Sequence, residues 1–412
     1  MRIILLHQAF VTITEAGGTR HHELARELVK LGHTVTIIAS RVNYLTGKPV
    51  TDSVDAAKEL ELEPGITLIR VYTYPALHKS FFHRVLSFFS FMISSFIAAL
   101  GVRRVDLVWG TSPPIFQGFT AWLIARLKGA AFLFEVRDLW PAFAIAVGVL
   151  RNKLLIRLSL WLEHFLYSHA DTVMVNSPGF IEHVQQRGAR RIELVPNGAD
   201  AEMFAASEKH TDPIWQKKLA GKFICLYAGA HGLSNDLGVV LQAAAILKPH
   251  KDIAFVLIGD GKEKPALQMQ AASLELKNVI FLPPVPKEDM ASVFLAANAC
   301  IAILKPLELY KTTYPNKVFD YMAAGRPVIL AIDGVIREVV ESAKAGVFTP
   351  PGDPQALAQT VLHLKSHPSQ AARMGLNGKE YVNKHFNRAV LAKILNEVLE
   401  ITLQVHRRRI QG

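Results

Sequence analysis

KPLELYKTTYPNKVFDYMAAGRPVIL, Lys305 to Leu330, is the stretch whose reading decides the fold. It runs from a strand end through a ten-residue polar loop to Pro315 in a first helical turn, then a short helix, then Gly325-Arg326-Pro327 and a second apolar strand. Proline suits that first turn because the N–H it lacks has no helical partner there. Lys317 stands near the helix start and Asp320 three positions on, so both side chains can face one ligand. An ammonium beside free helix amides favours a phosphate; a charged surface helix is the plainer alternative.

The same alternation of strand and amphipathic helix extends to both ends of the chain, the pattern of parallel sheets wrapped by helices. In the first half, strands are expected at Ile3–Ala9, Thr34–Ser40, Thr67–Tyr72, Leu107–Thr111, Phe132–Val136, Thr172–Asn176 and Glu193–Val195. The second half should hold strands near Phe223–Ala228, Ala254–Ile258, Val279–Leu282, Cys300–Ile303, Val328–Ala331 and Gly346–Thr349, with helices at Gly238–Leu247 and Glu263–Leu276. Strand periodicity stops and turn residues gather at VPNGAD (Val195–Asp200) and in the polar stretch Ser207–Lys218. The expected division is a Rossmann-like domain over 1–200, a second over 201–387, and a helix over 388–412 crossing back towards the first. The fold class is α/β, two parallel-sheet domains facing a central cleft.

Composition agrees with a folded protein: 412 residues, 50% hydrophobic and 20% charged, enough for two or three domains and unlike disordered or disulfide-stapled chains. Forty-six Lys and Arg against thirty-five Asp and Glu give +11, which suits an anionic partner. From Arg70 to Arg157 there are eleven basic residues and three acids (Asp106, Glu135, Asp138). Basic residues mixed with Phe and Leu fit an anionic membrane surface better than nucleic acid. The two cysteines, Cys225 and Cys300, lie in apolar runs, as expected of buried thiols in a reducing compartment. MRIILLHQAF has too short an apolar core for an export signal and reads as a first strand, so a cytoplasmic location is expected.

Val85 to Val102 holds eighteen residues without a charge, the lower bound for a membrane span. At 100° per residue, Ser87, Ser90, Ser94, Ala98 and Gly101 fall on one side of a helix, and Phe89, Met92, Ile93, Phe96 and Leu100 on the other. Three alternatives stay open: a span, a packed helix, or an interfacial helix flanked by Arg84, Arg103 and Arg104. The last two explain the segregation.

Three glycine loops follow strands. Gly17, Gly18 and Thr19 precede a helix beginning near His21, where adjacent glycines let backbone approach a ligand and free amides favour negative charge. There is no G-x-G-x-x-G spacing of the dinucleotide type. His21 and His22, about 100° apart on that helix, are expected to be helix-start or solvated residues and not metal ligands. YAGAHGLSNDLG (Tyr227–Gly238) repeats the pattern with Gly229, Gly232 and Ser234 or Asn235 as N-cap. A phosphate on its amides would have His231 nearby to help carry charge; a simple connecting turn is the alternative. IGDG (Ile258–Gly261) is a third such loop on the same carboxyl edge.

Taken together, GGTRHHELARELVKLGH, FEVRDLWP, VNSPGF, LVPNGAD, YAGAHGL, IGDGKEKPAL and PNKVFDYMAAGRPVI lie in order over nearly the whole chain and resemble glycosyltransferase family 4, with the GT-B fold. The branch most resembled builds bacterial O-antigen, capsule and exopolysaccharide and includes transferases of N-acetyl-L-fucosamine. The resemblance implies a nucleoside-diphosphate sugar as donor, with UDP favoured. It also implies a polyprenyl-diphosphate-linked saccharide as acceptor, and peripheral association with the inner face of the plasma membrane.

The family's E-x7-E signature falls here on Thr312 and Asp320, so one acid is missing and the other is shortened. By resemblance Asp320 holds the donor ribose, with Tyr314, Glu308 or backbone amides standing in for the lost glutamate and Asn316 beside them. The Arg and Lys that commonly hold the diphosphate are absent from GAHGLSND, leaving His231 and Lys317 as replacements. Arg137–Asp138 occupies the place of a common His–Asp pair. In a retaining transfer the growing charge sits on the β-phosphate. Lys317, His231 and the amides near Gly17–Gly18 are therefore expected to receive the diphosphate, with Arg137 close to the anomeric centre and Asp138 orienting acceptor or sugar. No D-x-D occurs, so no metal and no other cofactor are expected. A sugar-nucleotide epimerase of similar shape and an inactive membrane-docked homologue are the competing readings.

Overall fold

The computed structural model of the chain describes residues 1–44, 47, 50, 59–75, 81–205 and 217–411. Two compact units form: Met1–Val11 with Thr19–Pro196 and Ala389–Gly412, and Thr12–Gly18 with Asn197–Arg388. Lys79 and most of Ser207–Lys218 lie outside the described residues.

The first unit holds β1 (Arg2–Leu6), β2 (Thr34–Ser40), β3 (Glu59–Glu63), β4 (Ile66–Val71), β5 (Leu107–Ser112), β6 (Ala131–Val136), β7 (Thr172–Val175) and β8 (Ile192–Leu194). Their order is β3-β4-β2-β1-β5-β6-β7-β8. Every residue of β5 and β6 is buried, as strands covered on both faces by helices must be, which is why they read as unbroken apolar runs. β3, with sequence ELELE, escapes the sequence reading because it alternates charge with leucine. It pairs antiparallel with β4 at the sheet edge, where its glutamates discourage further pairing.

The second unit holds β9 (Phe223–Ala228), β10 (Ile253–Ile258), β11 (Val279–Leu282), β12 (Ala299–Ile303), β13 (Val328–Ala331) and β14 (Gly346–Phe348), in order β11-β10-β9-β12-β13-β14 and all parallel. Two cores cover its faces. Leu226, Val256 and Cys300 belong to one, Cys225, Phe255 and Ile301 to the other, following the two-residue period of the strands. Both cysteines are free and buried.

Residues 81 to 101 form one helix, Phe81–Gly101. Its buried side is Ser87, Phe91, Ser95 and Ala99, rotated from the small-residue side that periodicity pointed to. Ser90 and Ser94 sit on its flank: Ser90 Oγ accepts from the Tyr74 N–H at 2.8 Å, and Ser94 Oγ donates to the Tyr72 carbonyl at 2.6 Å. Opposite, Phe82, Leu86, Phe89, Ile93, Ile97 and Leu100 form an exposed stripe, with Ile93 and Ile97 each more than 60% accessible. The helix is long and apolar enough to cross a bilayer, yet only 17% of its most apolar window is buried, so it is no ordinary core helix.

The last helix, Arg388–Gln411, packs in the first unit through Leu391, Leu395, Val398 and Leu399 against Ile3, Leu5 and Val35. Asp171 anchors its far end. The carboxylate accepts from the Phe132 N–H at 2.8 Å, lies 3.1 Å from His406 Nδ1 and pairs with Arg409 at 2.9 Å. Asp171→Ala leaves a buried N–H unpaired and releases the helix end, so unfolding stability measured in urea should fall by about 1–3 kcal/mol. An unchanged midpoint would show that the helix holds without this anchor.

Candidate functional site

In the second unit the chain adds β10 and β11 on one side of β9 and then β12 to β14 on the other, so the strand order reverses at β9. Parallel sheets open a crevice at the carboxyl ends of the strands where this happens. β9 ends at Ala228, and Gly229, His231, Gly232 and Asn235 follow in the loop beyond it. Gly229 has φ +146°, and a Cβ there would stand 2.8 Å from Nζ of Lys317. In the adjacent IGDG turn, a Cβ on Gly259 would fall 1.9 Å from the Gly229 carbonyl oxygen, and one on Gly261 would fall 2.4 Å from that of His231. The two loops press backbone to backbone, which only glycine permits.

Lys317 lies in the first turn of the Asn316–Ala323 helix, for which Pro315 is the N-cap. Its ammonium donates to the Tyr227 hydroxyl at 2.8 Å and to Asn235 Oδ1 at 3.4 Å, and stands 4.0 Å from the Tyr227 ring centre. A hydroxyl, an amide oxygen and a π face partly solvate the cation. Among the described residues no carboxylate pairs with it, and burial pulls its pKa down to about 7. Such a group gains most from an incoming anion, because both its desolvation and its charge remain uncompensated.

His231 is fully buried, and among the described residues its two ring nitrogens have no hydrogen-bond partners. Burial, with Lys264 and Lys317 nearby, lowers its pKa to about 4. It is therefore a neutral imidazole at neutral pH, a correction to its expected role as a charge carrier. The N-cap also differs from expectation. The Leu237–Ile246 helix starts after Asp236, which adopts φ +35° and gives no side-chain cap. Ser234 meanwhile bonds Tyr310, and Asn235 faces Lys317.

Asp320 does not share Lys317's partners. It pairs with Lys287 at 2.6 Å, both side chains being nearly buried, and accepts from Asn316 Nδ2 at 3.2 Å. Asn316 accepts in turn from Arg388 at 2.9 Å, and Tyr314 packs its ring on Phe319 and Phe386 while its carbonyl accepts from Asn197. Asn316 and Tyr314 thus brace the start of the helix. Lys287 was invisible in the sequence, being thirty-three residues from its partner with no motif around it. Tyr227 left one faint signal, a polar-tipped aromatic two residues before a strand-ending glycine.

In the first unit Arg137 follows β6 and donates to the carbonyls of Ser112 and Pro113, both at 3.2 Å, at the end of β5. Burial raises the neighbouring Asp138 carboxyl to about 6 against the pull of Arg137. Beneath them Glu135, fully buried, accepts from His21 Nε2 at 2.6 Å, Arg20 Nε at 3.1 Å and Trp109 Nε1 at 3.1 Å. Burial acts to raise its pKa, but His21 and Arg20 prevail and hold it well below the usual carboxylate range. His21 is thus a buried helix-start residue tied to a carboxylate and not a solvated one. Thr19 is the N-cap of that helix and donates its hydroxyl to Glu23. Gly17 and Gly18 group with the second unit, where the Glu288 N–H reaches the Ile13 carbonyl at 3.2 Å. A Cβ on Gly18 would meet nothing within 4 Å, leaving room for a ligand.

Among the described residues no group of three or more His, Cys, Asp or Glu side chains gathers as for a metal ion. An NMR titration of 13Cε-labelled lysine should show one ammonium losing its proton near pH 7 instead of near 10.5, and the signal should vanish in Lys317→Arg. A full set of lysines titrating above pH 9.5 would refute the half-buried, uncompensated state.

Residues 16–198 match the family described as a glycosyl transferase 4-like domain, and residues 222–367 that of glycosyl transferases group 1. The chain is similar to D-rhamnosyltransferase WbpZ of Pseudomonas aeruginosa, 26% identical over 56% of this chain and 59% of that one. It is 23% identical to the putative colanic acid biosynthesis glycosyl transferase WcaI of Escherichia coli K12, over 76% of this chain and 78% of that one. Among solved structures it resembles sucrose-phosphate synthase from Thermosynechococcus elongatus, with TM-score 0.76 and 19% identity over 96% and 98% of the two chains. HepE of Anabaena, in complex with UDP-glucose, follows with TM-score 0.72 and 16% identity over 97% and 99%. Two parallel-sheet units, the two family matches and these likenesses agree, and the chain belongs to glycosyltransferase family 4, with the GT-B fold.

Proposed function

We propose that this protein transfers a sugar, with retention, from a nucleoside-diphosphate donor to a polyprenyl-diphosphate-linked saccharide in bacterial surface polysaccharide synthesis. The observation that carries this reading is the Lys317 ammonium, paired with no carboxylate among the described residues, at the strand reversal of the second unit. When the bond to the anomeric carbon breaks, negative charge accumulates on the β-phosphate oxygen. A preorganised cation in a partly dry site stabilises that charge more than it stabilises the intact donor. The amides that open the Leu237–Ile246 helix add donors of the same sign, and His231 supplies a neutral N–H.

The acceptor hydroxyl attacks from the face that the phosphate leaves and passes its proton to the departing phosphate oxygen, so no protein nucleophile is needed. Arg137 is assigned to the anomeric centre, and Asp138, with its raised pKa, to orienting the sugar or the acceptor. Uracil is the favoured base, a preference supported by the UDP-glucose held by HepE. An N-acetylated amino sugar such as N-acetylfucosamine is the favoured cargo, on the sequence resemblance alone. The reaction is proposed to need no metal. In a transferase assay Lys317→Ala should lower kcat on the order of 100-fold, while EDTA leaves wild-type turnover intact. Wild-type kinetics in the variant would remove Lys317 from the site, and loss of turnover in EDTA would overturn the metal-free mechanism.

The lipid-linked acceptor goes with an anionic membrane surface as partner, at the cytoplasmic face of the plasma membrane. The exposed stripe on Phe81–Gly101 supports this, with Arg84, Arg103 and Arg104 exposed on or just beyond the helix. A second stripe, Leu154, Leu158 and Trp161, is exposed on the Lys153–His169 helix together with Lys153 and Arg157. Apolar side chains that enter the acyl boundary beside cations that meet lipid phosphates are the chemistry of an interfacial helix. Ile93→Glu combined with Ile97→Glu should abolish co-sedimentation with vesicles containing phosphatidylglycerol while leaving the melting temperature unchanged. Equal sedimentation of variant and wild type would refute this surface.

A further inference from the structure

A second concavity lies in the second unit at the opposite edge of its sheet. Its volume is about 490 Å³, and Lys222, Lys248, Lys251, Lys277, His250 and Glu275 are among the residues lining it. The topology gathers these lysines. Lys222 comes one residue before β9, Lys251 two before β10, and Lys277 two before β11. The three strands are parallel neighbours, with Ile253 beside Phe223 and Phe255 beside Val279. Positions just ahead of each strand therefore lie side by side, about 5 Å apart per strand. The six residues of β9 separate this edge from the Lys317 end by about 20 Å.

Helix C-termini collect at the amino edge of such a sheet, and they attract lysines without any ligand. Lys248 is of that kind, donating at 2.8 Å to the Leu274 carbonyl at the end of the Lys264–Ser273 helix. Magnitudes decide whether this accounts for all four. Two helix ends contribute about half a negative charge each, and Glu275 contributes one, against four ammonium groups. About two positive charges remain unbalanced. Asp252, the nearest further carboxylate in sequence, is taken by Lys365. Among the described residues Lys222, Lys251 and Lys277 have no ion-pair partner.

We propose that this concavity is a second anion site, selective for a ligand that presents two or more negative charges on phosphate groups, and independent of the donor site. A monovalent anion would leave the cluster still repelling itself. A diphosphate spans neighbouring lysines and matches the excess. The same chemistry occurs in soluble phosphorylated molecules and in phosphate-bearing lipid headgroups.

Calorimetric titration of the full-length Lys317→Ala variant with inorganic pyrophosphate, without nucleotide, tests it. Saturable one-to-one binding is expected there, weakened at least tenfold when Lys222→Ala and Lys277→Ala are added. No saturable binding in Lys317→Ala, or full affinity once the other two substitutions are added, would each overturn the proposal. Co-sedimentation with phosphatidic acid vesicles separates the two sources. Retention lost in the double variant assigns the anion to a lipid headgroup, and retention unaffected assigns it to a soluble phosphate.

Discussion

A cation held without its counter-charge organises the second unit. Lys317 is solvated by the Tyr227 hydroxyl and ring and by Asn235, and desolvation lowers its pKa, with no carboxylate among the described residues paired to it to raise it again. Each surrounding feature follows from making room for it. Gly229 takes a backbone conformation, φ +146°, that side chains resist, and the Gly259 and Gly261 turn packs backbone on backbone against that loop. Tyr321 ties the end of β9 to the same helix, its hydroxyl accepting from the Ala228 N–H. The charge is thus already oriented and partly dehydrated, the arrangement that the proposed role in receiving a diphosphate requires.

The first unit treats a buried charge in the opposite way. Glu135 receives hydrogen bonds from His21, Arg20 and Trp109, and Arg20 also satisfies the carbonyls of Val195 and Pro196. Desolvating a carboxylate is costly even when it is paired, and these partners offset that cost; removing one of them is destabilising by about 3–5 kcal/mol. Both motifs stand out in sequence as charged residues in apolar surroundings. Only their partners in the fold distinguish a fully paired carboxylate from an ammonium that no described carboxylate pairs.

The Phe81–Gly101 helix adds a third kind of exception. Its inner side is packed through Phe91, Ser95 and Ala99, while its outer side spends large apolar residues on solvent. A contiguous exposed apolar stripe marks an interaction surface, and a lipid interface is the occupant proposed for it above. Arg84, Arg103 and Arg104 on or just beyond it belong to the basic stretch Arg70–Arg157 and are exposed.

Periodicity was enough to fix the α/β class, the doubled sheet and most strands, because a buried parallel strand must be apolar throughout and glycines must follow it where loops crowd. The strand-to-glycine pattern marked Gly229 and Asn235 in one loop and Lys317 at a separate helix start, and the fold brings the ammonium to that loop. Periodicity missed β3, whose glutamates mimic a loop, and the N-cap at Asp236, whose left-handed backbone no residue type demands. Tertiary structure alone decided the pairing of Asp320 with Lys287, the neutrality of His231 and the ionised state of Glu135. The reason is physical: secondary structure depends on neighbours along the chain, whereas the charge state of a buried group depends on burial and on partners brought close in space. Local sequence carries the first kind of information, and only the folded chain carries the second.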